Sequence, residues 1–89
     1  MKADYKIQFV TRAAKELKEC PNVQIRKIID QIEALSQNPQ PANSIKLKGN
    51  TENIWRIRIG NYRVIYHISD SIKIVTIRHI RHRKDAYRL

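Results

Sequence analysis

The middle of the chain carries a strict alternation of apolar and charged side chains. From Trp55 to Ile59, large apolar residues alternate with two arginines, which is the period of a half-buried β-strand. Gly60-Asn61 follows at once, and glycine at the first central position is typical of a tight hairpin turn of the primed type. Residues 62–68 are again aromatic and β-branched at most positions. The pattern therefore predicts a β-hairpin.

The two-residue turn also determines the register of this hairpin. It places Ile59 opposite Tyr62 and Arg58 opposite Arg63, so that Arg56, Arg58 and Arg63 share one face. The other face is apolar and contains Trp55, Ile57, Ile59, Tyr62, Val64, Tyr66 and Ile68. Like charges directly opposite each other destabilise a β-ladder. We therefore expect the arginines to bind something anionic.

Two helices are predicted before the hairpin. Thr11 is a suitable N-cap for a first helix, which ends near Cys20-Pro21. Asn22 is a suitable N-cap for a second helix over about residues 23–37. The apolar residues of this second helix recur at helical spacing and form one stripe: Ile25, Ile28, Ile29, Ile32 and Leu35. Such a helical hairpin is expected to lie across one face of a sheet.

Three further segments, residues 5–10, 44–48 and 72–78, have strand-like patterns. The last is almost wholly apolar, so we expect it to be central and covered on both faces. Its connection to the hairpin is a predicted turn at Asp70-Ser71. The order is β-α-α-β-β-β-(α), with residues 44–48 as an optional very short strand and a final helical turn or two from about Lys84. This is an α+β fold, a single domain over residues 1–89, with the helical hairpin packed on a small antiparallel-rich sheet.

Charge is concentrated in the second half of the chain. The 89 residues have a formal net charge of +10. Residues 45–89 contain eleven Lys and Arg less three Asp and Glu, which leaves +8. A basic surface of this kind predicts a polyanionic partner such as nucleic acid or an acidic protein. With a single cysteine, no signal-like N-terminus and no apolar run of about 20 residues, we expect a cytoplasmic protein without membrane spans.

Metal and cofactor sites are not indicated by the sequence. His79 and His82 are three residues apart, but the arginines around them would repel a divalent cation. Two glycines are too few to build a phosphate-binding loop. Cys20 has no local pattern of a nucleophile and its base. We therefore expect no metal and no cofactor.

The remaining candidate residues are arginines, histidines and tyrosines of the basic half. Arginine binds phosphate through two parallel hydrogen bonds, tyrosine stacks on unpaired bases, and histidine transfers protons near neutral pH. Together they suit metal-free cleavage of RNA, in which the ribose 2′-hydroxyl attacks the neighbouring phosphate and cationic groups stabilise the charge that develops. DNA lacks this hydroxyl, so the reaction would be limited to RNA.

The segment from Trp55 to Tyr66, the L-K-G of residues 47–49 and the ending H-R-K-D-A-Y of residues 82–87 resemble the RelE/ParE superfamily of toxins from bacterial toxin–antitoxin pairs. The resemblance covers nearly the whole chain. Its RelE branch implies a ribosome-dependent endonuclease that cuts translated mRNA in the ribosomal A site. It also implies a hetero-oligomer with a cognate antitoxin, and we expect an acidic or amphipathic antitoxin segment that covers the arginines or displaces the C-terminal tail.

The resemblance also implies an active site. Its residues are Arg56, Arg58, Arg63, Arg83 and Tyr87. Arg63 and Arg83 would hold and neutralise the scissile phosphate, and Tyr87 would stack on a base or position the 2′-hydroxyl. Further contacts with RNA are expected from Lys46, Lys48, Arg78, Arg81, His82 and Lys84.

The general base is left open by this resemblance. RelE-like enzymes often have lysines at the positions of Arg56 and Arg58, and arginine is a poor base because it stays protonated. Tyr87, His82 or a group of the ribosome could serve instead. Two other functions also fit the sequence. The ParE branch inhibits DNA gyrase and does not need the full set of basic residues and tyrosine, and a non-enzymatic RNA-binding module would need only the basic half of the chain.

Overall fold

The computed structural model describes residues 4–49 and 52–82. They form β1 (Lys6–Phe9), α1 (Thr11–Lys18), α2 (Asn22–Ala34), β2 (Ser44–Lys46), β3 (Ile54–Ile59), β4 (Tyr62–Ser69) and β5 (Ile74–His82). The strands make one sheet in the order β1-β5-β4-β3-β2. β1 runs parallel to β5, and the other neighbours are antiparallel. The predicted α+β fold is confirmed, with the optional short strand present, while the predicted final helix lies outside the described residues.

The two helices cover one face of the sheet, as predicted. Ile28, Ile32 and Leu35 of the α2 stripe are buried, and Ala13 of α1 is fully buried. They pack against the inward residues of the three central strands, namely Ile57, Ile59, Val64, Tyr66, Ile68, Val75, Ile77 and Ile80. The helices and the sheet therefore enclose one apolar core, and the opposite face of the sheet is available for the arginines.

The central hairpin has the predicted register. Ile59 pairs with Tyr62 and Arg58 pairs with Arg63. Gly60 has a φ of +58°. The first central position of a primed turn requires a positive φ, which residues other than glycine rarely adopt. Tyr66 on the apolar face is completely buried, and its hydroxyl donates a hydrogen bond of 2.7 Å to the Pro39 carbonyl.

Both predicted helix caps are wrong. Each helix starts one residue earlier than the caps imply, so that Val10 and Pro21 occupy the N-cap positions, and neither makes a side-chain cap hydrogen bond. Neither side chain has an oxygen that accepts a hydrogen bond. The second helix also ends earlier than predicted, at Ala34, because the chain turns there into the loop that precedes β2.

The last strand differs most from its prediction. It begins at Ile74 rather than residue 72, because the turn after β4 extends to Lys73, whose φ is +55°. It also continues to His82, well beyond the predicted end. Its register against β4 shifts between Ile65 and Tyr66, so that Arg78 is an extra residue. The strand is central, but in the described part of the chain the helices cover one of its faces and not both.

Candidate functional site

Three arginines form a row across three neighbouring strands. Arg58 of β3 is the register partner of Arg63 of β4, and Arg63 is the partner of Arg81 of β5. Register partners share a face of the sheet. Arg58, Arg63 and Arg81 are called the arginine row below, and the sheet face that carries them, opposite the helices, is called the arginine face.

The next row of the arginine face is more mixed. Arg56 of β3 pairs with Ile65, which pairs with His79 of β5. Arg56 and His79 are half-buried, whereas Arg58 of the first row is exposed. Both residues belong to the arginines, histidines and tyrosines that the sequence indicates as candidates, but only Arg56 is among the predicted site residues. Alternation continued from Ile77 would place His79 on the helix side, so its position in the row of Arg56 depends on the register shift.

The register shift at Arg78 brings Arg81 into the row. Ile77 and Ile80 are both buried on the helix side although they are three residues apart. In a regular strand, residues three apart point to opposite faces. Because Arg78 is an extra residue, a β-bulge restores both isoleucines to the core and turns Arg81 toward the arginine face.

Arg78 itself is engaged in an ion pair. Its guanidinium donates two hydrogen bonds to the Glu52 carboxylate, of 3.0 and 3.4 Å. These bonds lower the pKa of Glu52 below its ordinary value, so the acid is charged at neutral pH. Arg78 therefore has a carboxylate partner of its own and is not a member of the arginine row.

Helix α1 supplies a carboxylate to the open edge of β5. The pairing with β1 ends at Ile77, and beyond it the backbone amide of Ile80 donates a 2.9 Å hydrogen bond to Oε1 of Glu16. Glu16 Oε2 lies 3.8 Å from Nε of Arg81, and Oε1 lies 3.9 Å from Nδ1 of His79. The edge of the sheet, the arginine row and α1 therefore meet at one acidic side chain.

The ring of His79 is neutral at pH 7. Burial lowers its pKa below the ordinary value, Arg81 lowers it further, and Glu16 opposes these effects. Nδ1 of His79 lies 3.3 Å from a terminal nitrogen of Arg81. Because arginine can only donate, this geometry assigns Nδ1 as the acceptor and places the ring proton on Nε2.

Several predicted site residues lie elsewhere. His82 pairs with Tyr62 and packs edge-on against its ring, with 5.1 Å between ring centroids, so it lies on the helix side of the sheet. Lys46 pairs with Trp55 and shares that side. Lys48 is exposed in the bend after β2. Arg83, Lys84 and Tyr87 lie outside the described residues.

A cleft of about 320 Å³ lies beside the arginine row, on the side of α1. Its lining consists of Glu16, Glu19, Cys20, Tyr62, Ile80, Arg81 and His82. Cys20 is buried there, and burial raises the pKa of its thiol. In the described part of the chain, no group of three or more His, Cys, Asp or Glu side chains is arranged to hold a metal ion. The described helices are all too short or too polar to cross a membrane.

Most of the chain is similar to known toxins. Residues 7–87 match the model of the ParE toxin family of type II toxin–antitoxin systems. The toxin RelE3 of Methanocaldococcus jannaschii is 36% identical over 87 residues, which cover 92% of this chain and 94% of that protein.

Solved structures agree with this assignment. A chain of the archaeal RelE–RelB complex from Pyrococcus horikoshii is 27% identical and superposes with a TM-score of 0.81, over 90% of this chain and 96% of that one. The RelB–RelE complex from Methanococcus jannaschii contains a chain that is 30% identical, with a TM-score of 0.73 over 91% of this chain and 95% of that one. The protein therefore belongs to the RelE/ParE superfamily of type II toxin–antitoxin toxins, and its fold is RelE-like.

Proposed function

We propose that this toxin is a ribosome-dependent, metal-independent endonuclease that cleaves translated mRNA in the ribosomal A site. The observation that supports this most is the arginine row, in which Arg58, Arg63 and Arg81 come from three adjacent strands. Guanidinium groups keep their charge and bind phosphate in a fixed geometry. Three of them on a rigid sheet match a phosphate whose negative charge grows during the reaction.

The reaction needs no water and no metal. The ribose 2′-oxygen forms a bond to the adjacent phosphorus, the bond from phosphorus to the 5′-oxygen breaks, and a 2′,3′-cyclic phosphate and a 5′-hydroxyl result. One group accepts the proton of the 2′-hydroxyl and another supplies a proton to the leaving oxygen. The arginines stabilise the phosphate as charge accumulates on its oxygens.

The remaining residues have supporting roles in this proposal. Arg56, in the row next to Arg58, adds positive charge beside the scissile phosphate. Arg83 and Tyr87, which continue the chain beyond β5, would complete the site by holding the phosphate and stacking on a base. Lys48, Arg78 and Lys84 add long-range attraction for RNA. The position of His82 on the helix side of the sheet makes Tyr87 or a ribosomal group the better candidate for the general base.

We also propose that a cognate antitoxin binds the toxin and neutralises it. The solved relatives from Pyrococcus horikoshii and Methanococcus jannaschii are complexes of RelE with RelB. An acidic or amphipathic antitoxin segment would satisfy the charge of the arginine face or displace the C-terminal tail. Toxin that kept full activity when saturated with antitoxin would contradict this part of the proposal.

Cleavage in a purified translation system tests the nuclease directly. Cuts would be mapped by primer extension for the wild type and for Arg63→Ala, Arg81→Ala, Arg83→Ala and Tyr87→Ala. We expect cuts within codons at the A site, reduced at least roughly 100-fold in the Arg63 variant, because loss of one charge-stabilising group has an effect of this order. Lys27→Ala, which removes one charge from the exposed side of α2, is the matched control and should cleave like the wild type. Intact mRNA with the wild type would contradict the nuclease.

Inhibition of DNA gyrase is the second candidate. The family model that matches residues 7–87 is described as a ParE toxin. A supercoiling assay with purified gyrase separates the two functions, because a nuclease leaves supercoiling unchanged and a ParE-type toxin abolishes it. If neither mRNA nor gyrase is affected while RNA still binds, the protein is a non-enzymatic RNA-binding module.

A further inference from the structure

Arg81 of the arginine row is partly buried between Glu16 of α1 and His79 of its own strand. Its side chain is 20% exposed, and Glu16 and His79 beside it are 21% and 27% exposed. Nε of Arg81 is buried and makes no hydrogen bond to residues 4–49 or 52–82, but it lies 3.8 Å from Glu16 Oε2. A terminal nitrogen of the same guanidinium lies 3.3 Å from His79 Nδ1. The guanidinium is therefore contacted at two of its three nitrogens.

Glu16 is itself held in place by the backbone. The Ile80 amide lies beyond the last residue of β5 that pairs with β1, and it donates a hydrogen bond of 2.9 Å to Glu16 Oε1. A carboxylate that accepts a backbone hydrogen bond has fewer rotamers available. Ile80 immediately precedes Arg81, so the Glu16 carboxylate is anchored to the backbone of β5 next to the side chain that it contacts.

We propose that Glu16 is a positioning residue that aligns the Arg81 guanidinium within the arginine row, with His79 as the second contact. This inference rests on the proposed endonuclease function. Glu16 does not touch the RNA. It acts through Arg81, because a guanidinium whose Nε is paired with a fixed carboxylate can direct its remaining N–H groups at a phosphate without reorganising during the reaction.

Because Glu16 is acidic, a purely electrostatic role and a positioning role predict opposite effects of Glu16→Gln on the cleavage rate. A carboxylate next to a polyanion-binding surface weakens RNA binding through simple electrostatics. If that were its whole effect, Glu16→Gln would tighten binding and leave the chemical step unchanged or faster. If Glu16 positions Arg81, the same variant slows the chemical step although binding is unchanged or tighter.

The first experiment is single-turnover cleavage on mRNA-programmed ribosomes at increasing toxin concentrations. For Glu16→Gln we expect a maximal rate reduced roughly tenfold and a half-saturating concentration that is equal or lower, because misplacement of a catalytic group by a fraction of an ångström has effects of this order. The glutamine keeps an oxygen for the Ile80 amide, so the fold is retained. Glu19→Gln, at the C-cap of the same helix and in the same cleft, is the matched control and should stay within about twofold of the wild type. An unchanged maximal rate in Glu16→Gln overturns the proposal.

A double-mutant cycle tests whether Glu16 acts through Arg81. In an Arg81→Ala background, Glu16→Gln should have no further effect beyond about twofold. Independent, multiplying effects of the two substitutions would show that Glu16 works by another route and would overturn the inference.

The third measurement needs no activity. In wild-type toxin labelled with ¹⁵N-arginine, the Arg81 Nε–H signal, assigned by its loss in Arg81→Lys, should exchange slowly with solvent because Nε is buried beside Glu16. Exchange should accelerate at least tenfold in Glu16→Gln and stay unchanged in Glu19→Gln. Slow exchange that persists in Glu16→Gln overturns the positioning role whether or not RNA is cut. Accelerated exchange in a toxin that cuts no mRNA supports the contact and refutes the endonuclease function alone.

Discussion

Arg58 and Arg63 face each other directly across the β3–β4 ladder, in the pair next to the one that closes the hairpin. Like charges in this position repel, and Arg58 is exposed, so solvent relieves the repulsion in part. We expect Arg58→Gln to raise the free energy of unfolding by about 0.5 kcal/mol, since cross-strand pairs are worth ~0.2–1 kcal/mol. Urea denaturation at low salt measures this gain. It should shrink in 0.5 M salt, where the charges of the wild type are screened.

The same substitution should weaken RNA binding. Each phosphate contact that is lost reduces the slope of log affinity against log salt concentration by about 0.7 for single-stranded RNA. Arg58→Gln is therefore expected to bind more weakly, with a shallower salt dependence, in a filter-binding or anisotropy titration. A variant that is both more stable and equally tight would show that Arg58 is not used for RNA.

Glu52 limits the contribution of Arg78 to RNA binding. The two hydrogen bonds between them occupy the guanidinium, so Arg78→Ala should weaken binding less than Arg58→Ala does. Glu52→Gln should tighten binding by a few-fold, because it removes a negative charge near the arginine face and releases Arg78. Comparison of the three variants in one anisotropy series checks the order. Weaker binding by Glu52→Gln would contradict it.

Acid should destabilise the protein through His79. Its pKa is lowered in the folded state by burial and by Arg81, so between that pKa and the ordinary value the unfolded chain binds more protons. The stabilising effect of the neutral ring is complete above about pH 6.5 and is lost as the pH falls toward the folded pKa. We expect the free energy of unfolding to fall more between pH 7.5 and pH 5 in the wild type than in His79→Gln. Urea titrations at pH 7.5 and pH 5 measure both losses. If the wild type and His79→Gln lost the same free energy of unfolding between these pH values, this role of His79 would be excluded.

Tyr66 should behave oppositely in alkali. Burial raises the pKa of its hydroxyl to about 12, so the wild type loses stability from this group as the pH rises above about 10. Tyr66→Phe removes the hydrogen bond to Pro39 and should reduce the free energy of unfolding by about 1–2 kcal/mol at pH 8. The difference between the two proteins should narrow at pH 11. Absorbance at 295 nm, which reports tyrosine ionisation, should show one fewer late-titrating tyrosine in the variant.

Local sequence patterns were sufficient to predict the hairpin and the helical layer. Alternation and the Gly60-Asn61 turn determine a register that both strands satisfy without help from the rest of the chain, so the pair of Arg58 and Arg63 was predictable. The α2 stripe was predictable for a similar reason, since its apolar spacing is helical throughout. The N-cap residues were not predictable in this way. Thr11 and Asn22 lie inside the first turns of their helices, and neither helix begins with a side-chain cap hydrogen bond.

The composition of the arginine row depends on contacts distant in sequence. The sequence around Arg81 does not indicate that β5 continues past Arg78. That extension is stabilised by pairing with β4 and by Glu16, which is 64 residues away from Ile80. The parallel pairing of β1 with β5 is equally invisible locally. The sequence therefore predicts Arg81 only as a general RNA contact, whereas in the structure it pairs with Arg63, and His79 is a general candidate in the sequence that the structure places in the row of Arg56.

The extra residue at Arg78 determines which change of length β5 can absorb. Deletion of Arg78 would remove the bulge and leave a regular ladder, in which His79 still faces Ile65, Ile80 still faces Val64 and Arg81 still faces Arg63. The ion pair with Glu52 would be lost, but the third arginine of the row would keep its place. In this strand, a single-codon deletion would therefore be least damaging at the position where β5 is already one residue longer than its partner.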